Sequence, residues 1–438
     1  MIKKITIGSA LFAIMALGGC SKASKSNSEE TKKSITLNEV ATNFVSTALE
    51  YGEFHDGYVD AYFGPDKLLP KKEATLDSLK KLEEIGADIQ LLLKQINSIE
   101  SEEANRKAYL SKQIKSLATN YEMFRGKELT FDQESKALYD AVAPNNSMDH
   151  YDSLLNELDK LVPGNGDLQT RYIAYKEKFR IPEDKLDQVL KTAIEEARKR
   201  TSKYIKLPEN ESFKVEYVKG VSWSAYNWFK GNSYSVIQIN TSVPVYIESA
   251  VDWASHEGYP GHHVFNTLLE SELVKKKGWM EYSIYPLYSP QSLLAEGSAD
   301  FGIQVAFPDD ERVAYERDVL FPLAGLDQAE AENYAKVYQL MERLNFARND
   351  IGRKLVDGEI NRAEAKELLA KYDFSPTEAE KERKISFVET YRSYVLNYNY
   401  GEDLVKDYVL KNAEDNSHSG IWAQFEKLLT EPKTASSF

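Results

Sequence analysis

Cysteine is almost missing from this chain: Cys20 is the only one in 438 residues. A disulfide within the chain is therefore excluded, whatever the redox compartment. Basic residues are outnumbered, with 55 Lys and Arg against 69 Asp and Glu, for a formal net charge of −14. That sign argues against a nucleic-acid partner, because a phosphate backbone selects basic surfaces. Long apolar runs are also lacking; the run 5–17 is too short and too weakly flanked to span a bilayer. Beyond residue 36 there is neither an internal repeat nor a low-complexity segment, and strand signals are few. What is present is ordinary globular material, 42% hydrophobic and 28% charged. The length suffices for one large domain or two smaller ones.

The N-terminus reads as an export signal. Lys3 and Lys4 precede the apolar run, which ends in Leu17-Gly18-Gly19-Cys20. Small residues before a cysteine resemble the lipobox of bacterial lipoproteins, in which the cysteine is lipidated and becomes the first residue. Each buried lipid CH₂ contributes about 0.8 kcal/mol, so a multiply acylated Cys20 would hold the protein on a membrane. The expectation is a signal peptide over 1–19, a lipidated Cys20 with a flexible Ser-, Lys- and Glu-rich tether over 20–36, and a single domain over 37–434. The protein is expected to be exported and anchored to a membrane of the bacterial cell envelope.

Past the tether the dominant period is helical. Leu79, Leu82, Ile85, Ile89, Leu92 and Leu93 suggest one apolar face. Leu186, Val189, Leu190, Ala193, Ile194 and Ala197 suggest another, opened by Pro182 and acidic residues. Similar patterns recur over 328–347 and 376–396. Two segments read as strands. In 213–217, Phe213, Val215 and Tyr217 alternate with Lys214 and Glu216, and 234–239 is rich in β-formers and followed by Asn240.

Chemistry concentrates in His256-Glu257-Gly258-Tyr259-Pro260-Gly261-His262-His263, which holds three of the six histidines in the chain. Neutral imidazole is the commonest zinc ligand, and a glutamate beside the first histidine matches the general base of H-E-x-x-H metalloproteases. The spacing differs from that motif. On a regular helix, His262 would lie about 120° around from His256, and His263 within about 20°. Pro260 disfavours a regular helix, because it lacks an N–H and its ring clashes with the carbonyl of His256. A two-residue bulge there would restore a four-like relation between His256 and His262. Helical phase by itself leaves both histidines open.

Glu296-Gly297-Ser298-Ala299-Asp300 follows some way downstream. The E-x-x-x-D spacing sets two carboxylates one turn apart on a helix face. In glutamate-type zincins such a Glu is the third ligand and such an Asp orients a ligating histidine.

These motifs together resemble bacterial domain of unknown function 885, a group similar to zinc peptidases. The resemblance takes in His55-Asp56-Gly57-Tyr58-Val59-Asp60-Ala61-Tyr62-Phe63-Gly64-Pro65, then Ile239-Asn240-Thr241, the histidine motif itself, and Tyr398-Asn399-Tyr400-Gly401. It covers nearly all of the chain from about residue 37. In that family the residue after the Pro-Gly-His histidine is more variable, which favours His262 over His263. Ser298 departs from the family, where an aromatic residue is common. The resemblance implies a mainly α, zincin-like helical metallohydrolase with a small β-sheet beside the active-site helix, its helical half over 37–205 and its metal-site half over 206–434.

The expected site is therefore a zinc ion on His256, His262 and Glu296, Asp300 supporting a histidine, and Glu257 as the catalytic base. The expected partner is a peptide or other small acyl substrate. Tyr398 is expected to meet the substrate by donating to the oxyanion. Asp56, Asp60 and Tyr62 are candidates for a cleft lining, set against simple packing of an aromatic-rich turn. Arg392 could bind a substrate carboxylate, and Lys275-Lys276-Lys277 reads as a solvated helix end. The strand ending at Asn240 is expected to align a peptide by β-addition. Rival readings are a degenerate zincin that binds a peptide or envelope partner without turnover, and a hydrolase of a non-peptide amide or ester.

Overall fold

Helices built on apolar residues at helical spacing form most of the described chain, and capping side chains mark where several of them begin. The structure, a computed structural model, describes residues 35–71, 78–375, 377–415 and 417–438. The signal segment, Cys20 and most of the tether lie outside the described residues. The helix Leu37–Gly52 opens on Thr36, whose hydroxyl accepts from the Glu39 N–H while Glu39 accepts from the Thr36 N–H. The helix Ser78–Ser98 buries Leu82, Ile85, Ile89, Leu92 and Ile96. Leu79, expected on that face, is 70% exposed. Its position lies about 100° around from the middle of the stripe, so it turns outward.

The main hydrophobic core draws on Tyr109, Tyr151 and Leu186 as well as Val264, Phe301 and Trp422, so the expected halves share one core. A smaller core joins the first helices, through Phe44, Ile85 and Ile114, to Ile284. The described unit Ile35–Phe438 is accordingly compact as a whole.

Two small sheets interrupt the helices. In the first, β2 (Ser212–Val218) runs parallel to β4 (Tyr234–Asn240), and β3 (Ala225–Phe229) runs antiparallel to it, in the order β2-β4-β3. Alternation places Ser235, Ile237 and Ile239 inward. Ile237 and Ile239 pack on Leu190 of the helix Glu183–Thr201. The β3–β4 turn needs left-handed backbone at Gly231 (φ 76°), which glycine adopts without steric cost. Glu270 pins this turn by accepting from the Asn232 and Ser233 N–H groups, each at 2.8 Å.

This topology corrects one expectation. β4 is the central strand, with both edges occupied, so the strand ending at Asn240 cannot accept a peptide. β3 is an edge strand and meets the histidine motif through Asn227, whose Nδ2 donates to the Glu257 carbonyl at 2.7 Å. A second sheet pairs β1 (Val59–Tyr62) antiparallel with β5 (Ile284–Pro286), across more than two hundred residues of chain.

Two helices meet where neither carries a side chain. A Cβ on Gly297 would lie 2.3 Å from the Gly401 backbone, so Pro290–Ala306 and Leu396–Asn412 approach as only glycines permit. This crossing sets Glu296 beside Tyr394 and Tyr398.

Candidate metal centre

The helix Glu248–Trp253 widens as it enters the histidine motif. Tyr259 N–H donates to the Ala254 carbonyl, five residues back, and Gly261 N–H to the Ser255 carbonyl, six back, each at 2.9 Å. At His262 a new helix, His262–Leu268, begins, and Phe265 N–H returns to the ordinary four-residue spacing at 2.9 Å from Gly261. Two extra residues are thereby absorbed between the histidines, where Pro260 contributes no N–H. Gly261 is obligatory here, since a Cβ would stand 1.9 Å from the His256 carbonyl oxygen.

The result brings His256 and His262 together, their ring centroids 4.6 Å apart and their planes at 89°. From the helix Pro290–Ala306, Glu296 directs Oε2 to within 3.4 Å of His256 Nε2 and 3.5 Å of His262 Nε2. Tetrahedral zinc with bonds of about 2.0–2.1 Å separates its ligand atoms by about 3.3–3.4 Å. The two distances from Glu296 Oε2 to the imidazole nitrogens thus already have the length of an edge of such a polyhedron. Glu296 Oε2 is buried and without a hydrogen-bond partner, whereas Oε1 accepts from the Tyr394 hydroxyl at 2.8 Å. One oxygen is held and the other is left over, as a monodentate ligand requires. Asp300, one turn further on, accepts from or shares a proton with His256 Nδ1 at 2.7 Å and turns Nε2 toward Glu296.

Glu257 reaches the same space. One potential ligand atom each from His256, Glu257 and His262 lies within 4.8 Å of the others. Glu296 is the closer carboxylate to both imidazoles and has the orphaned oxygen, so it fits the ligand position better, with Glu257 at its margin. Electrostatics separates the two acids further. Burial pushes the Glu257 carboxyl up, with His256 and His262 opposing. Burial also acts on Glu296, but His262 and His256 outweigh it and hold this carboxyl far below the usual range. On His256, burial disfavours charge, but Asp300, Glu296 and Glu257 prevail and raise the imidazole well above its ordinary value.

His263 is turned away and is fully buried. Its Nδ1 meets Ser235 Oγ at 2.9 Å and its Nε2 meets Glu211 Oε2 at 3.0 Å. Both ring nitrogens are engaged by the protein. Glu211 also accepts from Tyr259 at 2.7 Å and from Arg198 at 3.0 Å.

A cavity of about 140 Å³ lies before these groups. Tyr398 lines it, as do Tyr394 and Tyr285, and burial raises all three phenols well above their usual range. Asp60 enters from β1, accepts from the Tyr226 hydroxyl of β3, and is pushed by burial up to about 6. Asp56 is exposed, and Tyr62 donates to the Pro65 carbonyl at 2.8 Å, so neither joins the lining. Arg392 is occupied by Glu134 at 2.6 Å. Lys275 and Lys276 pair with Glu270 and Glu272 at the exposed helix end. Ser298 is buried, its hydroxyl donating to the Ala295 carbonyl at 3.2 Å.

Sequence reasoning missed Tyr226, Asn227, Asn266, Tyr285 and Tyr394. Asn266 carries a usable signal, standing four residues after His262 on one helix face. Tyr226 and Tyr285 carry none, because only strand pairing brings them in.

Neither a family model nor a curated protein matches the chain. Among solved structures, a predicted lipoprotein from Colwellia psychrerythraea is similar at a TM-score of 0.50 and 13% identity, over 83% of this chain and 70% of that one. A predicted lipoprotein of unknown function from Shewanella oneidensis overlaps at a TM-score of 0.44 and 14% identity, over 81% and 73% respectively. At such identity the Colwellia likeness concerns the fold alone.

Proposed function

We propose that this chain is a metal-dependent hydrolase of peptides or related acyl compounds, with one divalent ion held by His256, His262 and Glu296. The observation that carries this reading is the orphaned, buried Glu296 Oε2, standing at ligand-edge distance from two imidazole nitrogens. The donor set of two nitrogens and one carboxylate suits zinc. A bound zinc ion supplies a Lewis acid and a water whose pKa falls toward about 7.

The chain's own residues do the rest. Glu257, its carboxyl raised by burial, takes a proton from the attacking water and returns it to the leaving amine. Asp300 fixes the His256 ring so that Nε2 faces inward. Tyr394 keeps Glu296 monodentate. Tyr398 remains a protonated phenol at neutral pH and donates to the developing oxyanion. β3, as the free edge beside the cavity, aligns an extended peptide. The lipobox ending in Cys20 supports a membrane-anchored protein of the cell envelope.

Metal analysis of the purified protein combined with digestion of a peptide library tests this reading. One zinc per chain and chelator-sensitive cleavage are expected. Stoichiometric zinc with no cleavage of any peptide, amide or ester would make this a binding protein instead. Absence of metal binding would remove the centre altogether.

A further inference from the structure

The cavity before the proposed ligands carries more negative charge than a metal ion consumes. Its lining holds three carboxylates, Asp60, Glu257 and Glu296, and neither lysine nor arginine. A dication offsets two of them. The third is matched by no cation in the cavity wall. Asp60 is the carboxylate outside the proposed ligand and base, and its hydrogen bond from Tyr226 is a neutral one that leaves its charge in place.

Asn266 supplies a second, independent observation. It is 5% exposed, lines the same cavity, and its Oδ1 is buried without a partner. A buried amide oxygen is costly to leave unmet, and native structures rarely do so. Both features ask for the same thing, a donor, and Asp60 asks for a positive one. A substrate carboxylate, by contrast, would find no cationic partner in the lining. The cavity volume, about 140 Å³, falls below the ~300–1,000 Å³ that encloses a drug-sized ligand. It suits one end of a chain and not a long stretch of it.

We infer that this cavity receives the free amino end of the substrate, with the ammonium paired to Asp60 and donating to Asn266 Oδ1. The activity is then of aminopeptidase type: one water is consumed, the bond after the first residue breaks, and a free amino acid and a shortened peptide leave. This inference rests on the hydrolase reading above and specifies its substrate class.

The test uses two peptides of one sequence, free and N-acetylated at the amino end, with the zinc-loaded full chain. Binding of leucinol and N-acetyl-leucinol, neither of which can be hydrolysed, is measured beside them by calorimetry. The free amino form should be favoured about 10- to 100-fold in both kcat/KM and Kd, as for one hydrogen-bonded charge. Asp60→Asn should erase that preference, mainly through KM, at unchanged zinc content, and Asn266→Leu should reduce it. Tyr226→Phe keeps the carboxylate and should keep the preference, which separates charge recognition from simple disturbance of the wall. Equal cleavage and binding of the acetylated forms would overturn the inference and leave the hydrolase standing. Preference surviving in Asp60→Asn would overturn the assignment of Asp60. Cleavage of neither peptide by zinc-loaded wild type, with no discrimination between the leucinol pair, would overturn both readings.

Discussion

Two carboxylates facing one cavity are driven in opposite directions, Glu257 upward by burial and Glu296 downward by two imidazoles. Such a split is how one site obtains both a base and an anionic ligand. The variants should therefore fail differently. Glu257→Gln should keep its zinc and lose activity about 10²–10⁴-fold. Asp300→Asn should weaken zinc binding about 10–100-fold, and Glu296→Gln should retain least of all. A zinc-free Glu257→Gln beside a loaded, active Glu296→Gln would reverse the roles. His262→Ala should likewise lose zinc while His263→Ala keeps it, as metal analysis of the two would reveal. His263 has a different task, as a buried partner of Glu211. Burial opposes the charge on Glu211, but hydrogen bonds from His263, Arg198 and Tyr259 win and lower its carboxyl from 4.5 to about 2. Between those values the unfolded chain binds the extra proton, so stability falls as pH drops. The contribution, at most about 3 kcal/mol and less where solvent screens the charges, is full above about pH 4.5 and gone below about 2. Urea melts of wild type and Glu211→Gln should therefore differ most near neutral pH and converge toward pH 2. A gap that stays constant from pH 7 to pH 3 would refute this account.

At the scale of elements, close approach between backbones decides the site as much as side chains do. The crossing of Pro290–Ala306 with Leu396–Asn412 depends on Gly297 facing Gly401. Gly297→Ala should destabilise by about 1–3 kcal/mol or more through overpacking, and should loosen zinc by moving Glu296. Gly352, whose added Cβ would meet only ordinary contacts from 3.4 Å outward, is the matched control. There, alanine should be neutral or stabilising by up to about 1 kcal/mol. Equal thermal shifts for the two variants would show that the crossing has room to spare. The helical stripes around Leu186 and Ile85 were readable because 3.6-residue periodicity is local information. Leu79 was misplaced because its position, about 100° around from the middle of the stripe, lies off the buried face. β3 was unreadable: Ala225-Tyr226-Asn227-Trp228-Phe229 lacks clean alternation, and it becomes a strand only by pairing with β4.

For the whole molecule, the test falls on the lipid anchor proposed at Cys20. No helix among the described residues is long and apolar enough to cross a membrane. Cys20→Ser should release the protein from the membrane fraction while melting temperature and zinc content stay the same. Retention in that fraction as firm as wild type would defeat the lipid anchor.

By itself the sequence determined the helical class and the short list of groups able to bind metal, and it raised the expectation of an export signal ending at its single cysteine. Each of these depends on residues near one another in the chain. Only the tertiary structure brings His262, and not His263, to His256 and Glu296, because that placement turns on hydrogen bonds from Tyr259 and Gly261 that reach five and six residues back. It also made β4 the central strand and β3 an edge, and it carried Asp60 across some two hundred residues into the cavity of Glu257 and Glu296. Periodicity and spacing hold no information on such pairings, which form only when distant segments bury their apolar faces against one another.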